Sequence, residues 1–125
     1  MQWKPVLTHV ARSSKYSVYG DKLCVHVNRR GDLLLSTASH EALGAPEFVQ
    51  IVSDGNGRMG FRAGRKHNPC TYTVQDADHS FVRRLAAKSV SKKYGIAEDR
   101  TKTYDLYLDD GVLVLNLGQK PAYHG

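Results

Sequence analysis

Cysteine, long apolar runs and catalytic signatures are all scarce in this chain, and each absence narrows what it can be. Only two cysteines, Cys24 and Cys70, occur in 125 residues, with no CxxC or Cys–His motif around them. That argues against a disulfide framework or a cysteine-rich metal module and predicts two buried free thiols. The apolar stretch near the start is broken by Lys4, Pro5 and His9. Nothing approaches the roughly 20 apolar residues of a membrane span, and no signal-peptide core is visible, so the expectation is a cytoplasmic protein without membrane contact. A composition of 41% hydrophobic and 24% charged residues excludes wholesale disorder. The length suits one domain with its own core.

Chemistry-bearing patterns are equally thin. The six histidines make no HxH or HExxH, and His67 near Cys70 would be half a zinc site without its other half. Ser36, Ser39 and His40 are neighbours, and Cys24 stands two residues before His26, but no GxSxG elbow frames a nucleophile. His26, in an alternating segment, reads as a surface or satisfied residue. Asp109 and Asp110 precede Gly111, where Asp-Gly serves a tight turn better than a carboxylate pair serves catalysis. The glycines of residues 54–58 and 63–66 do not lie between a strand and a long helix, so neither is a nucleotide loop. No enzyme activity, metal or cofactor is expected.

What the chain does have is unevenly placed positive charge. Its net charge is +6. Residues 1–22 contribute +3, residues 23–64 zero, residues 65–102 +5 and the remainder −2. Such asymmetry bears on partners rather than on fold.

The hydrophobic pattern predicts an α+β domain. Residues 1–21 read as an arm, with a short strand at Val6 to Val10. Leu23, Val25 and Val27 alternate with polar positions, residues 29–32 turn, and Leu33 to Leu35 return. Ser36 or Thr37 can cap a short helix ended by Gly44 and Pro46. Phe48 to Val52 and Met59 to Arg62 flank the Asp54–Gly57 hairpin turn. In the second part, Thr71 to Val74 reads as a strand, Asp76 to His79 as a turn and Phe81–Val82 as its return. A helix from Arg84 to Tyr94 has Leu85, Ala86, Val90 and Tyr94 on one face, and a polar link runs from Glu98 to Lys102. Tyr104, Leu106 and Leu108 alternate up to the Asp109–Gly111 turn, and Val112 to Leu117 return. Residues 22–64 and 65–118 thus read as two β-β-α-β-β repeats in one curved, mainly antiparallel sheet with two helices, followed by a tail at 119–125.

The stretch VNRRGDLLLSTASHEALGAPEFVQIVSDGNGRMGFR, with GVLVLNL further on, resembles uncharacterised small proteins of actinobacteria and their phages. The duplicated order is similar to TATA-binding-protein-like and double-wing domains over residues 22–118. The resemblance implies a sheet or hairpin wings presented to DNA and a bacterial host cell. It carries over no site residue.

The expected site is basic. Arg84, Lys88 and Lys92 fall at i, i+4 and i+8 on the second helix, with Arg83 and Lys93 beside them and no carboxylate from Arg83 to Ala97. Like charges at this spacing repel, so an anionic partner would relieve them. Arg29 and Arg30 stand at a hairpin tip, Arg62, Arg65 and Lys66 in a glycine-containing link, and Arg12 and Lys15 in the arm. Tyr16, Tyr19 and Tyr72 lie among the basic segments and could stack on bases. These residues predict a small DNA-binding protein, regulatory or architectural and of phage type, with double-stranded DNA favoured. The alternative is a protein-interaction module, a phage inhibitor whose basic surface meets an acidic host protein. An exposed edge strand is compatible with a homodimer.

Overall fold

The computed structural model describes residues 21–76 and 82–124. The arm strand expected at Val6 to Val10, Tyr16, Tyr19 and most of the turn after Asp76 lie outside them. The described residues open with β1 (Cys24–Val27) and β2 (Leu33–Ser36), then α1 (Thr37–Ala42), β3 (Phe48–Ser53) and β4 (Arg58–Ala63). There follow β5 (Thr71–Thr73), β6 (Gln75–Asp76), β7 (Val82–Leu85) and α2 (Lys88–Lys93). The chain continues through β8 (Thr101–Asp105), β9 (Tyr107–Asp109), β10 (Val112–Asn116) and β11 (Ala122–His124).

Local chemistry accounts for the turns. Asn28 caps the β1–β2 hairpin, its side-chain oxygen accepting the N–H groups of Arg30 and Asp32 at 3.0 and 2.9 Å. Gly31, at φ +88°, supplies the left-handed residue that closes this turn. The hydroxyl of Ser36 accepts the Ser39 N–H at 3.2 Å and caps α1. Asp110 and Gly111, at φ +49° and +78°, form a two-residue turn of the primed type between β9 and β10.

The strands form two antiparallel sheets, ordered β11-β8-β1-β2-β7-β6 and β5-β3-β4-β10-β9. This corrects the expected single curved sheet. The chain changes sheets at Leu106, between β8 and β9, where its N–H donates to the Leu23 carbonyl at 3.0 Å. Tyr104, Leu106 and Leu108 keep their alternation through that corner, so the sequence pattern carries no mark of the switch. Each sheet has an inward face: Val25, Val27, Leu33, Leu35 and Leu85 on one, Val49, Ile51, Phe61, Leu113 and Leu115 on the other. The described residues are mainly β with two short helices.

Three local expectations change with it. Residues 84–87 are not helical: β7 pairs with β2, Leu33 opposite Leu85 and Leu34 opposite Arg84, and α2 begins only at Lys88. Thr71 to Val74 does not pair with the return strand: β5 pairs with β3 in one sheet, while β6 pairs with β7 in the other. The polar link at Glu98 to Lys102 is partly strand, and Lys102 is only 1% exposed. Its register partner is Val27, so its stem lies on the core side of the sheet while its Nζ reaches Glu98 at 3.1 Å. Among the described residues no helix is long and apolar enough to cross a membrane.

Candidate functional site

The feature that organises the basic residues is a contact absent from any local pattern. Ser91, buried in α2, donates its hydroxyl to the Gly31 carbonyl at 2.6 Å. A Cβ built on Gly31 would meet Lys88 Cγ at 3.4 Å and Ala97 Cβ at 3.6 Å. The β1–β2 tip is therefore seated in van der Waals contact with α2, and glycine is needed there for its φ of +88°. Arg29 and Arg30, exposed at the tip, share one surface with exposed Lys88 at the start of α2. Lys92 lies one helical turn on from Lys88, and Lys93 follows it with its Nζ 5.8 Å from the Tyr94 ring centre. Arg30, largely exposed, lies 3.8 Å from the partly buried Asp32, a long contact worth little.

The two helices end alike and begin differently. Both stop at a glycine of positive φ, Gly44 at +85° and Gly95 at +70°. Ser36 gives α1 a side-chain cap, whereas Ala87, at φ −110° and ψ 43°, gives α2 none. Tertiary bonds hold α2 instead. Ser91 anchors it to the hairpin tip, and Ser89 hydrogen-bonds the Tyr72 hydroxyl of β5, whose pKa is raised mainly by burial.

The other expected site residues disperse. Arg83 and Arg84 belong to β7 and are half-buried: Arg83 donates to the Val82 carbonyl at 3.0 Å and Arg84 to Gln75 Oε1 at 3.0 Å. The stripe of Arg84, Lys88 and Lys92 is thus corrected, because a strand followed by a two-turn helix cannot continue an i, i+4 row. Arg62 stands on the outward face of the five-stranded sheet, bonded to Gln50 Oε1 at 2.9 Å and away from α2. Arg65 and Lys66 are exposed in the loop before β5, where Asn68 Oδ1 accepts the Arg65 N–H at 2.8 Å. Arg12 and Lys15 lie outside the described residues. The sequence reading missed Ser91, whose position on the packed side of a short helix gives no local signal.

The residues considered for chemistry have structural surroundings. Cys24 is buried and its thiol is pushed up to about 11 by burial, whereas Cys70 is exposed at φ +53°, correcting the expectation of two buried thiols. Cys70 lies in the loop outside the core, just before β5. His26 is fully buried and hydrogen-bonded, so of the two expected readings it is the satisfied residue and not the surface one. Its Nδ1 is 2.6 Å from Thr103 Oγ1, which is in turn 2.6 Å from His124 Nε2. The Ser36 and Ser39 hydroxyls bond to each other at 2.8 Å, and Ser39 Oγ accepts the Cys24 N–H at 2.9 Å. No three His, Cys, Asp or Glu side chains come together as a metal site among the described residues.

Asp54 accepts from the Asn56 N–H and from Arg58, which hold its carboxyl below the usual range. Comparison with family models, with curated proteins and with solved structures returns no match for this chain.

Proposed function

We propose that this protein binds double-stranded nucleic acid, as a small architectural or regulatory module, by gripping the phosphate backbone. Its grip is the face formed by Arg29, Arg30, Lys88, Lys92 and Lys93. The observation that carries the reading is the seating of Gly31 on α2, which joins two basic segments distant in sequence into one surface. Three lysines within six residues repel one another, and nearby phosphates relieve that repulsion.

The large exposed apolar side chains among the described residues are Tyr107, Leu108 and Tyr123, all on β9 and β11 rather than beside this face. Stacking on bases is therefore not what this surface offers. Contacts to phosphate give affinity with little sequence preference, which suits a duplex better than an unstacked strand. The duplication of hairpin, helix and hairpin belongs to the same reading: a repeated scaffold in which one of two helices has become the binding element.

Fluorescence polarisation with a labelled random duplex, titrated across salt, tests this. The affinity should fall linearly in log–log form with a slope of about −3 to −5, as expected when three to five phosphates are neutralised. Absence of binding at low salt would overturn the reading and direct attention to an acidic protein partner.

A further inference from the structure

We propose that the outer edge of β9 is a docking edge for an extended lysine- or arginine-bearing segment of a partner protein, taken up by strand addition. Among the described residues β9 is the last strand of its sheet, paired on one side with β10 and on the other with no described strand. The primed turn at Asp110–Gly111 fixes which backbone groups are free. In a two-residue hairpin the closing pair, Asp109 and Val112, exchanges both hydrogen bonds, and bonding alternates along the strand. Tyr107 and Asp109 therefore point their backbone groups at β10, while Leu108 points its N–H and C=O outward.

Side chains mark the same place. Tyr107 and Leu108 are 44% and 47% exposed on β9. The third large exposed apolar residue, Tyr123, lies on β11, which pairs with β8, the strand that runs directly into β9. Natural edges are commonly blunted by short length, charge, proline or a bulge. β9 is three residues long and carries Asp109, but no lysine, proline or bulge interrupts its register with β10.

Charge selects the occupant. From Thr103 to Gln119 there is no lysine or arginine, but there are Asp105, Asp109 and Asp110, in a chain of net charge +6. Arg58 approaches Tyr107 Oη at 3.3 Å, yet it is already paired with Asp54 at 2.6 Å. A second copy of β9 would bring its own Asp109, with Asp110 beside it in the turn, to the same seam, and like charges on neighbouring strands destabilise pairing. A basic segment gains both the free Leu108 bonds and the aspartates. This edge is separate from the basic face, so the two proposals stand or fall independently.

The test titrates the full chain with a labelled synthetic octapeptide of alternating lysine and valine, and with its glutamate–valine counterpart. Peptide polarisation and the protein's amide NMR spectrum are the readouts. The basic peptide should bind and shift the Leu108 amide, and the acidic one should not. Leu108→Pro removes the outward N–H and spares the bonds to β10, so it should weaken binding at least tenfold. Asp109→Lys should do the same and carries the test if the proline variant does not fold. Lys88→Glu with Lys92→Glu should leave peptide binding unchanged. The proposal is overturned by no binding of the basic peptide, by equal binding to a folded Leu108→Pro variant, or by sedimentation showing that the edge pairs copies of the chain.

Discussion

Helices α1 and α2 each follow a hairpin of the six-stranded sheet, but α1 leads into the five-stranded sheet at β3 whereas α2 leads back into the six-stranded one at β8. Each is six residues long and each ends at a left-handed glycine. Their beginnings and surfaces diverge. Where α1 has Thr37, Glu41 and Ala42, α2 has Lys88, Lys92 and Lys93. The first helix is stabilised locally, by the Ser36 cap and the hydroxyl pair that ties it to Cys24. The second has no cap, carries self-repelling charge and is held by contacts made elsewhere, at Gly31 and Tyr72. One scaffold can thus bear a helix optimised for stability and another loaded with charge, provided that packing supplies what the local sequence withholds.

The sharpest way to break this comparison is charge reversal. Lys88→Glu with Lys92→Glu should lower duplex affinity about 100-fold or more at low salt, with an unchanged thermal transition. Glu41→Gln, at the position in α1 that matches Lys92, should leave affinity unchanged. If both variants behave alike, the helices do not differ in role.

A smaller effect is expected from the caps. Ser36→Ala removes a cap and a buried hydroxyl partner, and should cost about 1–2 kcal/mol, lowering the melting temperature by a few degrees. Ala87→Ser should stabilise nothing, because the backbone at position 87 is not extended as a capping residue requires. Calorimetry on the two variants checks both statements.

The thiols report on the two helices separately. Cys24 lies beneath α1 and Cys70 precedes β5, which touches α2. At pH 8 a thiol reagent should modify Cys70 quickly and Cys24 only as the protein opens, and Ser36→Ala should hasten the second event. Burial raises the Cys24 pKa, so the folded state binds its proton more tightly than the unfolded chain. The associated stability is fully present below pH 9.0 and is lost as pH climbs towards about 11. Denaturant melts of the parent and Cys24→Ala across that window should converge at the alkaline end.

Much of this architecture was legible because its punctuation is local. The Asn28–Asp32, Asp54–Gly57 and Asp109–Gly111 turns, the Ser36 cap and the terminal Gly44 and Gly95 all occur where their chemistry predicts. The start of α2 was not legible, for a definite reason. In Val82-Arg83-Arg84-Leu85 the two apolar residues are three apart, the spacing of a helix face, yet both are buried in a strand. Val82 and Leu85 face opposite sides of a sheet covered on both, a pattern that periodicity cannot separate from a helix. Lys102 misled in another way: a lysine in a polar run gives no sign that its stem will lie against the core while Glu98 receives its charge. For the candidate site, the individual cations could be read from the sequence. Their grouping could not, since it depends on Ser91 and Gly31 meeting across 60 residues.

The strand order has a bearing on how the chain is made. Both hairpins of the first half lie inside their sheets, β1–β2 between β8 and β7, and β3–β4 between β5 and β10. The half that leaves the ribosome first is thus the half whose every edge is completed by the half that leaves last. Until β10 has emerged, a nascent chain carries paired hairpins with bare flanks, the state most open to pairing with a neighbouring chain. Slower release of the later strands should therefore lengthen the time for which those flanks stay bare.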